Sequence, residues 1–293
     1  MQRCERGDIM PEKSVYNLTE ALAEFAASSQ TQSQAHIRPL HWYIATALVV
    51  EGGFRPQTIT PTPPFRVESR RVGNIARNIL IYDEAAARPG ERTILGGLKT
   101  KDVDVVVATS DVGPCLAVSV KGSLNAFRNL TNRMEEAVGD CTNLHISYPA
   151  LVYGFLHVIR ATHELGAPMP NDIAIRADGS VAEYIVRYRD ALSRLAGRVD
   201  VRNEISRYEA IALALVDNTP SGRGMILPDF PHPDNLLRFE RFFSTLYRTY
   251  DLRFVYSAPL LKGVTERLEW AAESPAFQQA ELVSFVPRLA AGA

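Results

Sequence analysis

Residues 101–107 read KDVDVVV, and residues 117–121 read AVSVK. Both segments are apolar enough to form short buried strands, and SDVGP at residues 110–114 is typical of a turn. The pattern predicts a hairpin that brings Asp104 near Lys121, although 16 residues lie between them in sequence. Burying an acid and a lysine at the end of an apolar hairpin is costly without a partner or a task, so this hairpin is the first candidate for a functional site.

A second carboxylate would usually lie two positions before the lysine, but Ser119 occupies that position. The next segment offers an alternative, because apolar residues recur every three or four positions over residues 123–138 and predict a helix. Beside that apolar stripe runs a polar row that consists of Asn125, Arg128, Asn132 and Glu135. Asp104 and Glu135 offer the hard oxygen ligands that divalent ions prefer, and Lys121 could orient or help to deprotonate a water molecule.

The order of Asp104, a strand with Ser-Val-Lys at residues 119–121, a helix and Glu135 resembles the PD-(D/E)XK nuclease superfamily. It is most similar to the type II restriction endonucleases in which the motif glutamate has moved from the strand into the following helix. Glu135 lies 14 positions after Lys121, which agrees with that group, and the adjacent Glu136 is the alternative.

The resemblance covers roughly residues 35–160 and implies an α/β fold with a restriction-endonuclease-like core, in which helices flank a central mixed β-sheet. It implies Mg²⁺ as the cofactor, bound by Asp104 and Glu135, with Lys121 activating the water. Ser119 would line the site where an acid usually stands.

A glutamate on the helix before the catalytic hairpin often supports the metal site in this superfamily. Residues 35–50 predict that helix, and its inward stripe consists of Ile37, Leu40, Ile44, Ala47 and Leu48. Glu51 continues the stripe, which makes it the candidate auxiliary metal residue. A glutamate before Gly-Gly can also simply end a helix, so both interpretations of Glu51 stay open.

Arginine, which suits bidentate contacts with guanine and phosphate, heavily outnumbers lysine in this chain. Related enzymes place base-reading residues near the helix that carries the glutamate. The resemblance therefore implies four DNA contacts, namely Asn125, Arg128, Asn132 and Arg133. A second cluster, for which solvated surface positions are the alternative, consists of Arg66, Arg70, Arg71 and Arg77. The net charge of −1 argues against a protein that binds DNA mainly by non-specific charge.

Together these features predict a Mg²⁺-dependent, site-specific endonuclease for double-stranded DNA, a type II restriction enzyme that hydrolyses phosphodiester bonds. A homodimer is expected because a palindromic duplex mirrors two-fold protein symmetry, and the resemblance implies a partner DNA methyltransferase. One alternative is a non-specific defence or repair nuclease with the same site. Another is a catalytically silent relative that only binds DNA, which Ser119 favours.

Asp102 points to the same strand face as Asp104, but Asp104 directly adjoins the buried run at residues 105–107 and is preferred.

Composition is that of a globular enzyme, since 46% of the 293 residues are hydrophobic. No apolar run approaches the ~20 residues of a membrane span, and the sequence lacks a signal-peptide pattern, so no membrane partner is expected. The three cysteines have no metal-type spacing, and their odd number argues against a disulfide framework. A reducing cytoplasm is therefore expected, and the resemblance implies a prokaryotic one.

Residues 1–34 are predicted to form an N-terminal extension and linker, and residues 35–293 a single nuclease domain. Within that domain we expect a catalytic core at residues 35–216 and a helical C-terminal part at residues 217–293. Periodicity predicts further helices at residues 18–27, 181–195 and 236–247. Apolar runs predict buried strands at residues 208–216 and at residues 150–159, where β-branched and aromatic residues favour a strand over the alternative of a helix. Three prolines predict a loop at residues 58–64.

Overall fold

The computed structural model describes residues 13–29, 34–72, 75–124 and 130–291. The strands in these segments are β1 (Ile59–Thr60), β2 (Phe65–Val72), β3 (Ile75–Tyr82), β4 (Arg92–Leu95), β5 (Thr100–Val103), β6 (Val105–Thr109), β7 (Gly113–Ser123), β8 (Val152–Ala161) and β9 (Ala210–Asp217). The helices are α1 (Leu18–Ala27), α2 (Arg38–Val50), α3 (Leu130–Ser147), α4 (Glu183–Leu195), α5 (Phe242–Tyr250) and α6 (Lys262–Thr265).

Five strands form the central sheet in the order β1-β6-β7-β8-β9. Strand β6 is antiparallel to β1 and β7, whereas β7, β8 and β9 run parallel to one another. Parallel neighbours need a crossover connection, and α3 and α4 supply it after β7 and β8. The predicted α/β class, with a central mixed sheet flanked by helices, is confirmed.

The predicted hairpin is present as β6 and β7, in which Val105 pairs with Val118. The predicted strand at residues 101–107 is wrong in one respect, because it breaks at Asp104 into β5 and β6. At that point the Asp104 carboxylate accepts a hydrogen bond from the main-chain N–H of Val120 on β7, so a side chain takes the place of a ladder carbonyl. The break therefore fixes the carboxylate against the neighbouring strand.

Helix α2 is buried along nearly its whole length and packs against α1 and β6. It begins at Arg38, later than predicted, because a short 3₁₀ turn (Gln34–His36) precedes it. Its 13 residues span about 20 Å from one end to the other. The length of α2 decides which of its residues can reach the hairpin.

Several element boundaries differ from the predictions. The loop predicted at residues 58–64 contains β1, which pairs with β6 at the sheet edge. The helix predicted at residues 123–138 corresponds to α3, which is described only from Leu130 and continues to Ser147. The helix predicted at residues 236–247 starts later, at α5, because the Asn235 side chain accepts the N–H of Leu237 and favours a turn there.

Two further hairpins, β2–β3 and β4–β5, lie outside the central sheet and were not predicted. The β2–β3 ribbon is anchored by the C-terminal segment, where the N–H of Leu80 donates to the Ser274 hydroxyl. The elements described after β9 are all helical, and the longest is α5, which continues as a π-helical segment to Tyr256. Within the described segments, no helix combines the length and apolarity that a membrane crossing requires.

Candidate active site

Asp104 lies buried at the break between β5 and β6. Its Oδ2 accepts the Val120 N–H at 2.7 Å, so the main chain of β7 orients the carboxylate. Burial raises the pKa of Asp104, although the Val120 hydrogen bond and the charge of Lys121 act in the opposite direction. Asp102, by contrast, is exposed and accepts a hydrogen bond from the Thr93 hydroxyl. The structure therefore places Asp104, and not Asp102, inside the fold beside the lysine strand.

Two residues that were not predicted converge on Asp104. The Nε2 atom of His41, in the first turns of α2, lies 3.5 Å from Asp104 Oδ1. Glu91 joins them from the loop before β4, and one ligand atom from each of the three residues lies within 4.8 Å of the others. This group is referred to below as the three-ligand cluster. An imidazole and two carboxylates at such distances are a suitable donor set for a divalent metal ion.

The electrostatics of the three-ligand cluster fit a cation. His41 is buried, and its Nε2 has no hydrogen-bond partner among the described residues. Burial lowers the pKa of His41 to about 4, so the imidazole is neutral at pH 7, which is the form of histidine that binds metal ions. Burial and the nearby charge of Asp104 raise the pKa of Glu91. A bound cation would supply the missing partner of the imidazole and relieve the repulsion between the two carboxylates.

Access to the three-ligand cluster comes from a cavity of about 390 Å³. His41 and Glu91 form part of its wall, and the remaining lining residues are Arg38, Trp42, Pro61, Pro89 and Gly90. Glu91 is only half-buried, which leaves the cluster open to a ligand on this side.

Lys121 near the end of β7 faces α3. Its Nζ lies 3.1 Å from Oε1 of Glu136, and Glu136 also accepts a hydrogen bond from Arg133 at 3.1 Å. Although burial acts to raise it, the pKa of Glu136 is lowered by the charge of Lys121. The predicted Glu135 is exposed, because adjacent helix residues point about 100° apart. The structure thus brings Glu136, the alternative, to the lysine and does not bring Glu135 there.

A second ion pair joins the same elements. Lys101 on β5 lies 2.5 Å from Oδ2 of the buried Asp140, one turn further along α3 than Glu136. Both acids therefore attach α3 to lysines of the strands. Glu136 accordingly positions the Lys121 ammonium and is not one of the three residues of the three-ligand cluster.

The other two predicted catalytic residues do not meet Asp104 in the way expected. Ser119 is buried on β7, and its hydroxyl oxygen lies 2.7 Å from the hydroxyl of Tyr153. Glu51 follows the last residue of α2, ten residues after His41, which is about 15 Å along the helix axis. There it accepts the main-chain N–H of Val286 at 3.1 Å. On α2 it is therefore His41, and not Glu51, that lies beside Asp104.

The predicted DNA contacts are only partly described. Asn125 and Arg128 lie outside the described residues, Asn132 is exposed, and Arg133 is engaged by Glu136. The second arginine cluster falls entirely on the β2–β3 ribbon. Residues 65–82 carry four arginines and one glutamate, and Arg70 stands directly opposite Arg77. Three of these arginines already have acidic partners, since Glu68 pairs with both Arg66 and Arg70 and Glu273 lies 3.3 Å from Arg77.

Comparisons with protein-family models, with curated proteins and with solved structures gave no match to this chain. The chemistry of the site therefore has to be argued from its own residues.

Proposed function

We propose that this chain is a divalent-metal-dependent endonuclease that hydrolyses phosphodiester bonds in double-stranded DNA, of the type II restriction class. The observation that carries the proposal is the three-ligand cluster of His41, Glu91 and Asp104 beside the hairpin that bears Lys121. A buried imidazole nitrogen without a partner, two carboxylates and a neighbouring ammonium are the groups that metal-assisted hydrolysis of a phosphodiester requires.

The fit of the cluster to a metal defines the roles of the residues. A divalent ion at the cluster would offset the charge of a phosphate and make water a better nucleophile. Asp104 is held for this role by the Val120 N–H. Lys121, positioned by Glu136, would orient the water, and the positive charge of its ammonium would favour the hydroxide form of that water. Mg²⁺ remains the expected ion, and the imidazole ligand adds Mn²⁺ as the second ion to test, since imidazole is a softer ligand than a carboxylate.

Duplex DNA as the substrate is supported by the β2–β3 ribbon. A two-stranded ribbon fits into the major groove, which is about 12 Å wide. The ribbon has a net charge of +3 from four arginines and one glutamate, whereas the whole chain has a net charge of −1. The ribbon starts at Phe65, four residues after Pro61, which lines the cavity that leads to the three-ligand cluster. The start of the ribbon is therefore within about 14 Å of this cavity. A homodimer and a companion methyltransferase belong to the proposal as expectations from the resemblance.

A second candidate is a catalytically silent DNA-binding relative. It is favoured by Ser119, whose hydroxyl is engaged by Tyr153, so no carboxylate stands at the usual second position on the strand. In that case the three-ligand cluster would be a structural cation site, and DNA binding would survive its loss.

Digestion of unmethylated plasmid and phage DNA separates these candidates. The purified protein is incubated with Mg²⁺, with Mn²⁺ and with EDTA, beside the variant Asp104→Asn and the matched control Asp102→Asn. Discrete metal-dependent fragments that disappear only in Asp104→Asn support a site-specific nuclease. A smear with the same dependence supports the non-specific nuclease. DNA binding without cleavage in either metal would favour the silent relative.

The DNA-contacting role of the ribbon has its own test. Arg70→Ala and Arg71→Ala should weaken duplex binding and make the dependence of log K on log salt less steep, by about one unit for each phosphate that is no longer neutralised. Arg248→Ala on α5 is the matched control, because Arg248 is exposed on a different element. An equal weakening in the control would show that the effect is general charge and not the ribbon.

A further inference from the structure

Glu51 borders a second cavity, of about 580 Å³, at the end of α2 opposite to His41. Helices α1, α2 and α5 and the segment around Gly224 surround it. Its walls are mainly aromatic and aliphatic, and the side chains include Leu18, Leu22, Tyr43, Ile226, Phe239, Phe243 and Tyr247. A volume of this size with apolar walls and few polar groups is typical of a site for a small organic molecule.

The aromatic rings of this cavity form a continuous wall. Phe243 is the centre, with ring centroids 6.0 Å from Tyr43, 6.1 Å from Phe239 and 5.9 Å from Tyr247. The Tyr247 hydroxyl donates to the carbonyl of Ala47 at 3.1 Å, which fixes that ring, and the Arg267 guanidinium already lies over the ring, 4.9 Å from its centroid. Aromatic faces attract cations through their quadrupole, so the rings of Tyr43, Phe239 and Phe243 favour a positively charged guest over an anion.

Glu51 supplies a carboxylate that has no cationic partner among the described residues. It accepts a hydrogen bond from the Val286 N–H, and burial raises its pKa. It also follows the C-terminus of α2, where the helix dipole disfavours a negative charge. The other acid of the wall, Glu240, is exposed and paired with Arg238. Lysine, arginine and histidine are absent from the described lining.

We propose that this cavity binds an organic cation, namely an ammonium group carried on an apolar or aromatic body. The ammonium would pair with Glu51, and the body would pack against the rings of Tyr43, Phe239, Phe243 and Tyr247. A bare metal ion would find a single carboxylate, an anion would meet the charge of Glu51, and a neutral guest would leave that charge uncompensated. This site is independent of the proposed nuclease activity, since Glu51 lies about 15 Å along α2 from His41 and the two cavities share no lining residue.

Titration calorimetry of the full chain with three probes of similar shape tests the proposal. The probes are 2-phenylethylammonium, 2-phenylethanol and 3-phenylpropionate. We expect saturable binding of the ammonium at least tenfold tighter than binding of the alcohol, and no saturable binding of the carboxylate. Equal affinity for the ammonium and the alcohol, or no saturable binding of the ammonium, would overturn the proposal. Because the probes are compared on the unaltered protein, the result does not depend on the folding of a variant.

Variants then test whether Glu51 carries the negative charge that pairs with the ammonium. Glu51→Gln keeps the shape of the side chain and removes its charge, so ammonium binding should weaken at least tenfold while alcohol binding stays unchanged. Glu24→Gln is the matched control and should keep ammonium binding within about twofold, because Glu24 is an exposed acid of α1 that does not line the cavity. Loss of binding in the control with retention in Glu51→Gln would overturn the assignment to Glu51. DNA cleavage by Glu51→Gln is measured in parallel and reports separately on the proposed function.

Discussion

Each end of α2 carries a polar side chain that turns inward, but the surroundings of the two side chains differ. At the start of the helix, His41 is a buried imidazole whose free nitrogen meets two carboxylates from other segments. At its end, Glu51 is a half-buried carboxylate that meets aromatic rings and no second ligand among the described residues. Both are inward-facing polar groups of one apolar helix. The difference teaches that the chemistry of an inward polar group is decided by what other elements bring to it, and not by the helix itself.

Burial acts on the two ends in opposite directions. It disfavours the charged form of each group, so it lowers the pKa of His41 to about 4 and raises the pKa of Glu51. At neutral pH the imidazole is uncharged, and a neutral imidazole is a suitable ligand for a metal ion. The carboxylate keeps a charge that a cationic guest can compensate.

The largest effect is expected at the start of the helix. Asp104→Asn should remove metal binding and lower cleavage on the order of a thousandfold, because the amide carries no negative charge with which to hold a cation. Asp102→Asn should stay within about twofold, since Asp102 is exposed and bonded to Thr93. Calorimetry with Mn²⁺ and a plasmid cleavage assay measure the two effects. Equal losses in both variants would remove Asp104 from its assigned role.

His41→Leu is expected to separate function from stability. Metal affinity should fall about 10- to 100-fold, because one of three ligands is removed. Without metal, the free energy of unfolding should rise by about 1 kcal/mol, since an apolar side chain replaces a buried nitrogen that lacks a partner. Glu51→Gln serves as the comparison and should leave metal affinity unchanged. Urea denaturation with EDTA measures the stability, and metal titration measures the affinity. An unchanged metal affinity in His41→Leu would show that His41 is no more a metal ligand than Glu51.

Much of this contrast was beyond prediction from sequence. The β6–β7 hairpin was predictable, because strand and turn patterns are local and place Asp104 near Lys121. Glu91 was not, since it lies on a loop and meets Asp104 only through the tertiary fold. His41 did leave a signal, because it interrupts the inward stripe four residues after Ile37. A polar residue at a buried helix position marks a partner elsewhere in the fold.

The positions of Glu51 and Glu135 differ from the predicted arrangement for geometric reasons. The stripe predicts that Glu51 turns inward, but a stripe defines a helix face and not the position along the axis. Ten residues from His41 are enough to reach a different cavity. For Glu135 and Glu136, the sequence left open which of the two faces Lys121. Adjacent residues of a helix point in directions about 100° apart, so only one of them can do so.

That phase is tested by a pair of adjacent variants. Glu136→Gln should lower cleavage about tenfold, because Lys121 is then without the carboxylate at 3.1 Å that positions it. Metal affinity should change little, since Glu136 is outside the three-ligand cluster. Glu135→Gln should leave both within about twofold, because that side chain is exposed. The opposite result in cleavage and metal titration would return the metal-ligand role to Glu135.

The smallest effect is expected at the end of the helix. A carboxyl whose pKa is raised on folding stabilises the protein most below its unfolded pKa, and this contribution is lost as the pH rises through the folded pKa. Glu51→Gln cannot ionise, so it should increase the free energy of unfolding at pH 7 by about 0.3–1 kcal/mol, the usual cost of a negative charge at a helix C-terminus. The gain should largely vanish near about pH 4, below the ordinary pKa of a glutamate, because the carboxyl is then mostly protonated in the unfolded as well as the folded wild type. Urea denaturation at both pH values measures this difference. Saturation with 2-phenylethylammonium at pH 7 should make the wild type the more stable of the two proteins, because only the wild type keeps the charge that holds the cation.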